Sequence, residues 1–298
     1  MPLPLARQTT TYERGSRTLA PVEAPALLRW WHLASLDAPT VAVVWSLSFA
    51  WAAGVHLPLW VPVLLALGTW CVYVGDRLLD ARRALGSGTL EVLRERHFFH
   101  WRHRYVLVPL SGAAAIAAAG IIFNQMPTTI RAHDSVLALA ALAYFSGVHA
   151  PGAPGQRWLS RLWPKELAVG VLFTVGCVVP TLTRLHGMPR GAAPLALLLA
   201  AMSCYASLAW LNCTAIDCWE SGVRSDLALK AGLIGTAALL FGFLSIPFSA
   251  RLSLLCAACA TSALLLALFD RQRGRLTPLA LRGAADLILL TPIVCLLR

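Results

Sequence analysis

The chain has 298 residues, 58% of them hydrophobic and only 13% charged, against about 25% charged in an ordinary soluble domain; that deficit excludes a water-soluble globule and makes lipid the solvent. The formal net charge of +11 comes from Lys and Arg flanking apolar runs, so it reads as membrane flanking and not as a nucleic-acid surface. Cysteines such as Cys71, Cys177, Cys204, Cys256, Cys259 and Cys295 lie inside apolar runs, where Cys acts as a small hydrophobe and no disulfide framework is expected.

Residues 1–33 carry Arg7, Arg14, Arg17 and Arg29 with no apolar core, which predicts a cytosolic leader ahead of a single transmembrane domain over 34–298. A spanning helix needs about 20 mostly apolar residues. Nine stretches qualify: 35–53, 57–75, 104–123, 133–149, 165–184, 192–213, 229–247, 252–270 and 278–297. The expected fold is therefore an all-α membrane protein of nine transmembrane helices, with cytoplasmic cap loops near 76–104 and 213–229. With the N-terminus inside, 20 of the 25 Lys and Arg fall on cytoplasmic segments, leaving Arg131, Arg184, Arg190, Arg251 and Arg298 elsewhere. That asymmetry predicts a cytoplasmic N-terminus and an outer C-terminus, in a multi-pass protein such as a bacterial inner membrane holds.

The second stretch runs on through Asp76-Arg77-Leu78-Leu79-Asp80, and the sixth through Asn212-Cys213-Thr214-Ala215-Ile216-Asp217-Cys218-Trp219-Glu220. Asp76 and Asp80 are four apart and share a helix face; Asn212 and Asp217 are expected on roughly one side of theirs. Both helices end at the inner face, so these carboxylates meet the negative end of the macrodipole at a cost of about 0.3–1 kcal/mol each. Acids at such depth mark functional sites. Either nearby Arg77, Arg82 and Arg83 compensate them, or a bound cation does; oxygen-only donors with a phosphate-bearing substrate suit Mg²⁺.

Nine helices with aspartates ending the second and sixth resemble the UbiA superfamily of intramembrane prenyltransferases, whose motifs are N-x-x-x-D-x-x-x-D and a D-x-x-x-D-like sequence. The layout resemblance runs from about residue 33 to the end; the motif resemblance covers two short stretches. It implies that Asp76, Asp80 and Asp217 hold Mg²⁺, which grips a prenyl diphosphate while a lipophilic, aromatic acceptor attacks the allylic carbon. Val72 stands where the family has Asn, and Ser221 four residues beyond Asp217, with Glu220 beside it as a substitute. Tyr144 would begin the family's Y-x-x-x-K, with Val148 in place of Lys and Lys165 further on.

The remaining polar residues carry paired expectations. Asp37 caps its helix or contacts substrate, and Lys165 meets the diphosphate or snorkels to the interface. Arg282 and Asp286, four apart, are expected to bridge within the last span. Leu90–Arg104 reads as an amphipathic helix on the inner interface, offering Arg94, Arg96 and Arg102 to a diphosphate. The resulting expectation is Mg²⁺-dependent prenyl transfer in the membrane, with Asn212, Glu220, Lys165, Tyr144, Arg77 and Asp37 around the substrate. The alternative is a relative that keeps the fold, has lost the reaction, and binds isoprenoid lipid or a partner.

Overall fold

The computed structural model describes residues 22–88, 93–132, 134–136, 139, 164–186, 195–223 and 226–297, and of 192–194 the backbone. The described elements are helices: α1 (Ala26–Leu33), α2 (Asp37–Ala52), α3 (Trp60–Ser87), α4 (Glu95–Arg102), α5 (Arg104–Gln125), α6 (Lys165–Leu185), α7 (Ala192–Ser221), α8 (Leu227–Ser245), α9 (Ala250–Arg271), α10 (Pro278–Ile288) and α11 (Ile293–Leu296). Seven spans are long and apolar enough to cross a membrane, or eight if α1 and α2 count as one bent span. The predicted stretch 133–149 and its Tyr144 lie largely or wholly outside the described residues, as do residues 1–21 of the leader. Large apolar side chains such as Val106, Ile116, Phe123, Leu233 and Phe243 stand more than half exposed, which suits helices that face lipid.

Three boundaries differ from the sequence expectation. Helix α3 continues past residue 75 to Ser87, because Asp76–Ala84 holds good helix formers and no breaker; it stops where Gly88 takes φ 72°. Helix α7 continues past residue 213 to Ser221, a stretch without Gly or Pro, and ends before Gly222 at φ 72°. The last span is not one helix. It breaks between Ile288 and Ile293 around Pro292, and side chains satisfy the carbonyls this frees: Trp45 Nε1–H donates to Leu289 O at 2.7 Å and Ser262 Oγ to Ile288 O at 2.8 Å.

Helix α1 meets α2 at 87°. The corner is Ser35, whose φ of 59° is left-handed, a conformation costing a non-glycine residue about 1–2 kcal/mol. Hydrogen bonds hold it there: Ser35 Oγ lies 2.5 Å from Arg77 Nη1 and 2.9 Å from His100 Nε2. Around this corner the interior is aromatic and close-packed. Trp45 stacks on Tyr205 with centroids 3.8 Å apart, and both are fully buried. Helices α6 and α7 approach so closely at Gly170 that a Cβ there would lie 2.8 Å from Trp210 N, a small-residue contact of the kind that joins helices in membranes.

Candidate functional site

Helix starts and ends converge at one end of the bundle, where α1, α2, the end of α3, α4, the end of α7 and the start of α10 meet. Two layers of polar side chains lie there. The outer layer centres on Glu220, which receives Arg96 Nη1 at 2.7 Å and Arg282 Nη1 at 2.8 Å, with Arg94 Nε at 3.7 Å. Helix α4 thereby clamps the end of α7. The adjacent residue His97 lies 3.9 Å from Asp80 on α3, so the same short helix also touches the acidic end of α3. Arg94 N–H donates to His97 Nδ1 at 3.0 Å, which caps α4 and fixes its entry.

The inner layer centres on His32 and Asp37. Asp37 Oδ2 lies 2.6 Å from His32 Nδ1 and 3.5 Å from Arg77 Nη2, while Oδ1 accepts Ala38 N–H at 2.9 Å. Arg77 also donates to His32 O at 3.1 Å. Asp286 completes the layer, 3.8 Å from His32 Nδ1, with Asn212 Nδ2–H pointing to its Oδ1 at 3.4 Å. His32, Asp37, Arg77 and Asn212 are all buried.

Helix α4 lies outside the spanning segments, and Arg96, His97 and His100 on it are shifted. Burial, with the Arg282 charge second, lowers Arg96 to about 10. Burial and then the charge of Arg96 push His97 down to about 3; burial pushes His100 to about 4. Both imidazoles are thus neutral at neutral pH. His100 uses its two nitrogens structurally, facing Ser35 Oγ and Arg96 O.

Beside the outer layer opens a cavity of about 1370 Å³, lined by Arg29, Trp30, His32, Phe99, Glu220 and Arg282 among others. Its five arginines, which include Arg94, Arg96 and Arg102, outnumber Glu23, Glu95 and Glu220. Trp30 and Phe99 meet edge-to-face at 5.7 Å across it, and Arg29 pairs with Glu95. An anionic head with an apolar continuation matches such a lining.

The residues singled out in the sequence divide into several groups. Asp76 is half-buried on α3, and the Asp80 side chain is 45% exposed. Asp217 is exposed near the end of α7, whereas Asn212 is buried; five residues at ~100° each set them about 140° apart, so they do not share one side. Lys165 opens α6 and is exposed. Arg77 turns away from Asp76 and Asp80 into the inner layer, and so is a partner of Asp37 and not a surface cation. Asp37 is a buried ion-pair acceptor more than a helix cap. Arg282 reaches Glu220 instead of Asp286, since α7 places an ionised acceptor within 2.8 Å.

His32 and Ser35 carry no sequence motif. Their only signal is a polar pair within the apolar run Trp30–Leu36, at a helix break followed by Pro39 in the first turn of α2.

The three aspartates do not form a closed cage. Among the described residues, the group of three ligating side chains within 4.8 Å of one another is His32, Asp37 and Asp286. Asp76, Asp80 and Asp217 do not belong to that group, and none of them lines the cavity. Comparison with protein-family models, with curated proteins and with solved structures finds no match.

Proposed function

We propose that the chain is a nine-span membrane enzyme, N-terminus cytoplasmic, that transfers a prenyl group from its diphosphate to a lipophilic, aromatic acceptor in the presence of Mg²⁺. The observation that carries this reading is the double contact of α4, His97 against Asp80 and Arg96 against Glu220. It ties together the two acidic helix ends that the resemblance assigns to the diphosphate, next to a cavity rich in arginine.

Asp76, Asp80 and Asp217 are the residues that would hold Mg²⁺. When bound, the ion supplies neutralisation of the charge that builds on the departing diphosphate. The chain does the rest. Arg94 and Arg102 offer further positive charge at the cavity rim, Glu220 fixes the aim of Arg96 and Arg282, and apolar walls keep water from the allylic carbon. Alanine at Asp76 is expected to abolish Mg²⁺-dependent turnover in protein that still folds; unchanged turnover removes this assignment.

A second reading, a non-catalytic lipid-binding relative, draws on Val72, which is 53% exposed and apolar one turn before Asp76. That position offers no polar contact to a headgroup.

A further inference from the structure

We propose that His32, Asp37 and Asp286, with Asn212, form a binding site for one divalent transition-metal ion, separate from the carboxylates at the ends of α3 and α7. The three ligating atoms come from α1, the start of α2 and the third turn of α10, and they already lie within 4.8 Å of one another. His32 Nδ1 is 2.6 Å from Asp37 Oδ2 and 3.8 Å from Asp286 Oδ2. Ligand atoms around a tetrahedral ion with bonds of about 2.1 Å stand about 3.4 Å apart. The two observed separations bracket that value, so side-chain adjustments of less than 1 Å or so complete the geometry.

A second, independent feature points to a ligand. Asn212 is 5% exposed, and its Oδ1 has no hydrogen-bond partner among the described residues. Its Nδ2 faces Asp286 Oδ1 at 3.4 Å, so a half-turn of the same amide brings the orphaned oxygen to the cluster. Buried acceptors are nearly always paired. As a fourth donor, Oδ1 gains a partner.

The direct partners of these charges are unevenly shared. Arg77 stands 3.5 Å from Asp37, and both Arg96 and Arg282 are taken by Glu220. Asp286 has no Lys or Arg nitrogen within 4.0 Å among the described residues; its near neighbours are His32, Asn212 and a second carboxylate, Asp37. Arg77, Arg96 and Arg282 already match Asp37, Asp286 and Glu220 in formal charge, so what a bound ion supplies to Asp286 is a direct partner. One imidazole with carboxylate and amide oxygens suits Zn²⁺, Mn²⁺ or Fe²⁺ better than Mg²⁺. Bound there, the ion pins α1, α2, α7 and α10 together at the 87° corner.

The test uses the full chain purified in detergent, stripped with a chelator and titrated with Zn²⁺ alone, with metal content and Tm both read. One ion per chain and a raised Tm are expected. His32→Gln and Asp286→Asn should each weaken binding at least about tenfold, while Asp80→Asn keeps the ion. The last variant separates this site from the one proposed for Mg²⁺, so that either can fail without the other. No saturable Zn²⁺ binding by the wild-type protein overturns the proposal. Saturable binding undiminished in folded His32→Gln and Asp286→Asn overturns it as well. Should both variants fail to fold, the wild-type stoichiometry and Tm shift decide alone.

Discussion

Arg96 and Glu220 are 124 residues apart in sequence and meet at 2.7 Å, joining the interfacial helix α4 to the end of α7. Their side chains are 14% and 19% exposed, and Arg282 shares the same carboxylate at 2.8 Å. Removing the shared acceptor leaves two buried guanidinium groups without a counter-charge. Glu220→Gln is therefore expected to destabilise the fold by about 3 kcal/mol, measured by unfolding in detergent. A loss below about 0.5 kcal/mol, the range of surface changes, would show that the cluster is solvated and α4 loosely held.

Asp37 and Arg77 make a sharper case, because both side chains are at most 3% exposed. Asp37→Asn and Arg77→Met should each cost about 3–5 kcal/mol, since each strands the other's charge. The double variant should recover much of the loss, giving a coupling of about 1–3 kcal/mol. Additive losses would mean that the two residues act on stability independently.

Gly170 tests the packing of α6 on α7. A methyl group there meets Trp210 N at 2.8 Å and Ala206 O at 3.3 Å, both backbone atoms that move only with the helix. Gly170→Ala should cost about 1–3 kcal/mol. Gly68→Ala, where a Cβ meets nothing within 4 Å, should be neutral or slightly stabilising. Equal effects at the two positions would contradict the close approach.

His97 and His100 give stability a pH dependence. Burial holds them at about 3 and about 4, against an ordinary 6.5. Above pH 6.5 neither the folded nor the unfolded chain protonates them and they contribute no slope. Between pH 6.5 and about 4 the unfolded chain takes up protons that the folded one refuses, so stability falls as pH falls. The slope is at most about 1.4 kcal/mol per pH unit for each histidine. Unfolding measured from pH 7.5 to 5 should show it, and His97→Gln should flatten it. A flat wild-type profile would mean that water reaches both rings.

The apolar stretches of about 20 residues are strong signals in a chain with so few charges, and they largely coincide with the long helices of the structure. Asp80 and Glu220 were also legible, because acids after apolar runs conflict with the helix dipole. Of the inner layer, Asp37, Arg77, Asn212 and Asp286 were singled out one by one, but His32 and the convergence of all five were not legible. His32 and Asp37 straddle a bend made by Ser35 in a left-handed conformation, and nothing local distinguishes that serine from a helical one. The partners of Arg282 and Asp286 lie on other helices, so spacing within α10 suggested a pair that tertiary packing replaced with Glu220 and Asn212. Asn212 and Asp217 were misplaced on one face because five residues exceed a turn by more than a third.

The most direct test of the central claim is equilibrium binding of a prenyl diphosphate to the purified protein, with Mg²⁺ and with a chelator. The proposed enzyme requires saturable binding that weakens at least about tenfold without Mg²⁺ or in Asp80→Asn, a contribution of ~1.4 kcal/mol or more from the ion. Binding of equal strength with and without the metal, unaffected by Asp80→Asn, would contradict it and favour a lipid-binding relative.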